Sequence, residues 1–194
     1  MKPRLQIIVA STRPTRFADK PLARLLNRLS SRDDIEIDVL DMRDHPLALY
    51  NLAVSPARAH REYPREDIAR LGRALDAADG YIVLTSEYNH GYPASLKNAL
   101  DHVFVELNRK PVAFVGYGGV GAARAIEQLR LVCIEFEMAA LRYAVHILPN
   151  VMLPALMAEE FDLEVFAPLD ERLEMLIKDL LWWTNALKAA RDAG

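Results

Sequence analysis

Gly80-Tyr81-Ile82-Val83-Leu84-Thr85-Ser86-Glu87-Tyr88-Asn89-His90-Gly91-Tyr92-Pro93 decides the fold. Gly80 punctuates the chain before a continuous apolar run, Tyr81 to Thr85, which reads as a strand buried on both faces. A polar loop follows, and a helix is expected to begin near Pro93, a residue suited to a first helical turn. Leu96, Leu100, Val103 and Phe104 then fall on one helical face. The unit is strand, loop, helix.

The same unit recurs on both sides of this stretch. Leu5 to Ala10 is a short apolar strand, and after the polar loop Ser11 to Arg16 a helical pattern runs through Leu22, Leu25, Leu26 and Leu29. Ile35 to Leu40 alternates apolar and polar residues, as a half-covered strand near a sheet edge does. Residues 41 to 64 show no period, and helical spacing returns at Ile68, Leu71 and Leu75. Pro111 to Tyr117 is a fourth strand. The spacing then predicts a long helix reaching about Leu141, a fifth strand within Ala144 to Leu153, and a capped helix from Asp170 to Arg191. Strands alternating with helices imply a parallel sheet covered on both faces. Five such units match a flavodoxin-like three-layer α/β sandwich, sheet order 2-1-3-4-5, with one domain over residues 1 to 194. In that architecture a ligand binds outside the carboxyl ends of the strands where their order reverses, so the loops after strands one, three and four carry the function.

Composition narrows the classes. The chain has 194 residues, 52% hydrophobic and 26% charged, an ordinary globular balance. With 24 basic and 27 acidic residues the net charge of -3 offers no general attraction to nucleic acid or an anionic membrane. The apolar runs are far shorter than the ~20 residues of a membrane span, and Leu5 to Ala10 is too short for a secretory core, so a cytoplasmic location is expected. The one cysteine, Cys133, excludes an internal disulfide or a cysteine-cluster metal site; its apolar neighbours point to a buried small hydrophobe. His102 and His146 lack partners at metal-ligand spacing and are expected to be structural. His90 reads as an exposed or interface histidine more readily than as a proton donor.

The loop after strand one, Ser11-Thr12-Arg13-Pro14-Thr15-Arg16-Phe17, sets two small hydroxyls and two arginines at a helix start, donors that suit a phosphate. It lacks the Gly-Lys-Ser/Thr ending of a triphosphate-binding loop. The loop after strand four, Gly116-Tyr117-Gly118-Gly119-Val120-Gly121, satisfies Gly-x-Gly-x-x-Gly, but a dinucleotide site uses the first strand and an acidic residue ending the next, and here the next strand reaches Leu148-Pro149-Asn150. The Rossmann reading is rejected.

The loop after strand three, with Ala94-Ser95-Leu96-Lys97-Asn98-Ala99-Leu100-Asp101 behind it, resembles the Pro-Glu-Tyr-Asn loop, Pro and Leu-Lys-Asn-Ala-Leu-Asp helix of the NADPH-dependent FMN reductase family, which includes quinone, azo-dye and chromate reductases. Ser86 stands where that family usually has proline, and Ala10 replaces a glycine of its first loop. The resemblance covers residues 4 to about 148. It implies an FMN site in which Ser11, Arg13, Arg16 and Phe17 hold the phosphate end, while Ser86, Glu87, Tyr88, Asn89, Tyr117, Gly118 and Gly119 approach the ring. It also implies NADPH or NADH as the donor, a small-molecule electron acceptor, homodimers or homotetramers, and a role for residues 41 to 64 at the substrate entrance or subunit contacts. No catalytic acid or base is expected, because a flavin carries the hydride chemistry. A flavodoxin-type electron carrier or redox sensor is the alternative. Trp182-Trp183 on the last helix is expected to have at least one packed ring.

Overall fold

A computed structural model describes residues 2 to 194; Met1 lies outside the described residues. Five parallel strands, β1 (Arg4–Val9), β2 (Glu36–Asp41), β3 (Gly80–Ser86), β4 (Pro111–Tyr117) and β5 (Ala139–Ile147), form a sheet in the order β2-β1-β3-β4-β5. This is the expected flavodoxin-like topology, with the reversal of order between β1 and β3. The helices are α1 (Asp19–Ser30), α2 (Pro56–Ala59), α3 (Glu66–Asp76), α4 (Ala94–Leu100), α5 (Ala123–Glu135), α6 (Pro149–Met157) and α7 (Asp170–Asp192).

The two faces of the sheet bury separate cores, and strand alternation assigns each residue to one of them. Ile7, Val9, Ile82, Leu84, Ala113 and Val115 point to the layer holding α1 and α7, where Leu25, Leu29, Leu176 and Leu180 meet them. Ile8, Tyr81, Val83, Val112 and Phe114 point the other way, onto Leu71, Leu75, Leu96 and Leu129 of α3, α4 and α5. Every residue of β3 and β4 is buried, whereas in β2, at the edge, only Leu40 is buried and Val39 is exposed. Each fully buried Leu, Ile or Phe contributes about 1.5–3 kcal/mol relative to exposure. The central strands are therefore the rigid floor from which the site loops spring. No described helix is long and apolar enough to cross a membrane.

Three expectations change. α4 stops at Leu100, so Val103 and Phe104 belong to the turns beyond it. α5 ends at Glu135 instead of near Leu141. Its exit is closed by Glu137 in the left-handed region (φ 54°) and by the Met138 amide donating to the Cys133 carbonyl at 2.9 Å, so β5 begins five residues before Ala144. Neither tryptophan is buried: Trp182 and Trp183 are 64% and 38% exposed and pack edge to face on each other, 5.2 Å between centroids. Cys133 is buried in the second core, and burial pushes its thiol up to about 12. His146 bonds through Nδ1 to the Gly121 carbonyl at 2.8 Å, inside the framework.

Candidate flavin site

The loops after β1, β3 and β4 meet at the carboxyl edge of the sheet and are tied to one another by side chains. The Ser11 and Tyr88 hydroxyls share a hydrogen bond of 2.9 Å, joining the first loop to the third-strand loop. Ser95 of α4 donates to the Ala10 carbonyl at 2.8 Å. Glu87 accepts from the Arg124 Nε at 2.6 Å and from its amide at 3.1 Å, fastening the third-strand loop to the start of α5. Burial alone would raise the Glu87 carboxyl, but the hydrogen bond from Arg124 holds it below its ordinary value. Gln128 donates to the His90 carbonyl at 2.9 Å.

Tyr88-Asn89-His90-Gly91 is a tight turn. The Tyr88 amide donates to the Gly91 carbonyl at 2.8 Å, the reverse bond is 3.0 Å, and Asn89 and His90 take φ values of 50° and 68°. Two successive positive φ angles at the centre define a type I′ turn, which asparagine tolerates better than most side chains. The turn lifts Tyr88, Asn89 and His90 into solvent over the sheet edge.

The first loop differs from expectation at Arg16. Its side chain is 1% exposed and all five of its N–H donors are committed: Nε and Nη2 to Asp19, Nη1 and Nη2 to Asp41 at 2.7 and 2.6 Å, and Nη1 to the Ser11 carbonyl at 2.8 Å. The expectation that Arg16 donates to a phosphate is therefore corrected, because a buried guanidinium with no spare donor acts as a brace. Phe17 likewise packs inward, 5.2 Å from the Tyr117 ring and 6.3 Å from Phe166, instead of facing a ligand. Tyr117 is itself buried, which raises its phenol pKa, so its contribution to a ligand would come through its backbone. Arg13, by contrast, is exposed and forms no ion pair among the described residues.

Asp41 shows the electrostatics of the brace. Burial would raise its carboxyl, yet hydrogen bonds from Arg16 and Arg43 hold it well below the ordinary carboxylate range. An unfolded aspartate titrates near ~3.9, so the stabilisation is complete above that pH and is lost as pH falls toward the folded value. Thermal melting measured against pH should show a loss beginning below about pH 4 that Asp41→Asn removes. An unchanged acid limb in the variant would contradict this.

The four-glycine loop divides into two pairs with different duties. A Cβ on Gly116 would lie 2.5 Å from the Gly121 carbonyl oxygen, and one on Gly121, at φ 60°, 2.6 Å from the His146 Cβ. These two let strand and helix pack closely. Around Gly119 no atom lies within 4 Å of a Cβ position, and Gly118, at φ 142°, meets only distant atoms at 4.0 Å. Those two leave a bare backbone ledge beside Glu87.

Fit to FMN rests on unsatisfied donors. Among the described residues, the amides of Ser11, Thr12, Arg13, Thr15 and Phe17 find no partner, nor do those of Asn89, His90, Gly119 and Val120. Unpaired N–H groups beside the start of α1, with Arg13 free above them, suit a phosphate. The amides on the other two loops suit the polar edge of a flavin ring, and the bare ledge at Gly118 and Gly119 gives that ring room. The buried Ser86 hydroxyl has no partner of hydrogen-bond geometry, its polar neighbour being the Tyr117 hydroxyl, so the residue that departs from the proline pattern does not re-bond the loop. Asp41, Arg124, Gln128 and Ser95 were not singled out in the sequence. Asp41 alone had a signal there, as the acidic end of the strand beside β1.

A parallel sheet of this order, with its donors gathered where the strand order reverses, defines a flavodoxin-like mononucleotide-binding protein. Comparison with known proteins specifies the kind. The family model described as NADPH-dependent FMN reductase matches residues 3–151. An NAD(P)H-dependent FMN reductase of Schizosaccharomyces pombe is 34% identical over 137 residues, 70% of this chain and 68% of that protein. An FMN-dependent NADPH-azoreductase of Staphylococcus aureus is 31% identical over 57% of this chain and 59% of its own. The solved flavoenzyme NAD(P)H:(acceptor) oxidoreductase FerB of Paracoccus denitrificans superposes with a TM-score of 0.73 at 21% identity, covering 95% of this chain and 98% of that one. The chain belongs to the NADPH-dependent FMN reductase family, oxidoreductases that use FMN as cofactor and a nicotinamide nucleotide as electron donor.

Proposed function

We propose that this chain, folded as one domain, reduces a small organic or oxyanion acceptor with electrons from NAD(P)H. Quinones, azo compounds, free flavin and metal oxyanions are the candidate classes, and a homodimer or homotetramer in the cytoplasm is the proposed working form. The observation that carries the reading is the set of unpaired amides on the three loops, with Arg13 above them.

FMN, when bound, supplies the hydride-accepting and electron-donating chemistry. The protein's residues bind and orient. The unpaired amides of Ser11, Thr12, Arg13, Thr15 and Phe17, with the Arg13 guanidinium, would hold the phosphate. Asn89 and the Gly118-Gly119 backbone meet the ring edge, and Tyr88, fixed at its hydroxyl by Ser11, offers an aromatic face. Arg16 positions the first loop by gripping the Ser11 carbonyl. The exposed rim of Tyr88, Asn89 and His90 would give donor and acceptor access to the same site in turn, the arrangement ping-pong kinetics needs.

Reversing one charge tests the phosphate end. A charge-assisted hydrogen bond is worth about 1.5–3 kcal/mol, so Arg13→Glu should weaken FMN binding by about tenfold or more, with little change in melting temperature. Fluorescence titration of apoprotein with FMN measures this; equal affinity in the variant would remove Arg13 from the site. Steady-state comparison of kcat/KM across the four acceptor classes then selects among them.

A further inference from the structure

The segment from residue 42 to 64 is held over one face of α4 as a strap. Asn98 donates to the Leu47 and Ala48 carbonyls at 3.2 and 3.0 Å and accepts from the Tyr50 amide at 2.9 Å, and His102 bonds through Nε2 to the same Ala48 carbonyl at 3.1 Å. Further on, the Tyr63 hydroxyl donates to the buried Glu106 carboxylate at 2.5 Å. Two hollows lie under and beside the strap. One, of 440 Å³, includes Thr12 and Ser95 and adjoins the flavin loops. The other, of 630 Å³, shares no lining residue with it or with those loops.

The larger hollow has the build of a small-molecule site. Its volume falls within the roughly 300–1,000 Å³ of such pockets, and its walls are mostly apolar, including Leu52, Val54, Pro56 and Pro64. Two exposed charged side chains stand along these walls. Arg58 and Glu62 form no ion pair with each other or with any other described residue. His102 closes the floor of the hollow, fully buried and fixed by its Nε2 donating to the Ala48 carbonyl. The backbone around the hollow is held under strain: His60 and Arg61 both take positive φ, and a 2.7 Å bond from the Glu62 amide to the Ala59 carbonyl closes their turn. Conformations that disfavoured are kept where surrounding contacts over-determine them.

We propose that this hollow is a second binding site, distinct from the flavin shelf, for an aromatic anion that also carries a hydroxyl or amine. The apolar walls take the ring, the Arg58 guanidinium takes the acidic group, and the Glu62 carboxylate accepts from the donor. A cation at one point of the lining and an acceptor at another select against an aromatic acid without a donor, and against a neutral aromatic amine.

The test uses naphthionate, an aminonaphthalene sulfonate, titrated by calorimetry into the FMN-loaded protein. Naphthalenesulfonate and naphthylamine serve as the probes lacking one group each. The expected result is saturable binding of naphthionate, weaker binding of both single-group probes, about tenfold loss in Arg58→Gln with partial recovery in Arg58→Lys, and loss of binding in the cavity-filling Ala53→Trp. FMN content and the rate of flavin reduction by NADPH should stay unchanged in all three variants, since none touches the flavin loops. That readout also separates this proposal from the reductase assignment, which stands or falls on FMN alone. Equal naphthionate affinity in wild type, Arg58→Gln and Ala53→Trp would overturn the site. So would naphthionate binding seen only in apoprotein and abolished by one equivalent of FMN, which would place the probe on the flavin shelf.

Discussion

Arg16→Met should lower stability by about 3 kcal/mol and also abolish tight FMN binding. The side chain is buried against Asp41 and Asp19, and removing one partner of a buried pair costs roughly 3–5 kcal/mol because the remaining charge is left uncompensated. Arg43 still faces Asp41 at 2.8 Å, which sets the expectation at the lower end. In a domain of this size 1 kcal/mol moves the melting temperature by about 2–4 °C, so a fall of roughly 10 °C is expected. The Ser11 carbonyl loses its donor at the same time, and the amides of the first loop lose their alignment. Arg13→Met provides the contrast: FMN affinity falls while the melting temperature holds. Thermal melts of apoprotein together with FMN titrations separate the two arginines, and an Arg16→Met protein with wild-type melting would show that the brace is not structural.

Gly121→Ala is the second large effect. The position has φ 60°, where a side chain costs about 1–2 kcal/mol, and its Cβ would lie 2.6 Å from the His146 Cβ, an overlap that typically costs another 1–3 kcal/mol. A loss of roughly 3 kcal/mol is expected, read as a lower denaturant midpoint with unchanged slope. Gly119→Val should behave in the opposite way. Its Cβ meets nothing in the protein, so stability should stay within about 0.5 kcal/mol, the usual range for a surface change. The side chain would stand on the ledge assigned to the flavin ring, and FMN affinity should fall. Wild-type FMN affinity in Gly119→Val would mean that the ring does not lie there.

The sheet was legible in the sequence because buried parallel strands write themselves as short continuous apolar runs, and Tyr81–Thr85 and Pro111–Tyr117 lie within one residue of their structural bounds. Helix ends were less legible. Phe136-Glu137-Met138 carries neither glycine nor proline, so nothing announced that Glu137 would take the left-handed conformation and start β5 early. Within the site, the three loops could be named from topology and from the run ending in Leu-Lys-Asn-Ala-Leu-Asp. Which of two neighbouring arginines is free could not, because it depends on Asp41, 25 residues away, which comes beside the first loop only when β2 pairs with β1. The glycines divide for a similar reason: spacing makes Gly116, Gly119 and Gly121 look alike, and only the packing of His146 and Ala122 marks two of them as structural.

FMN held on the three-loop shelf is proposed to take its electrons from a nicotinamide nucleotide. The most direct measurement is an anaerobic addition of NADPH, and separately NADH, to the FMN-reconstituted protein, following the visible flavin absorption. Rapid, stoichiometric bleaching is expected, reversing when a quinone is added. Apoprotein that fails to take up FMN, or bound FMN that neither nucleotide bleaches, would contradict the proposal.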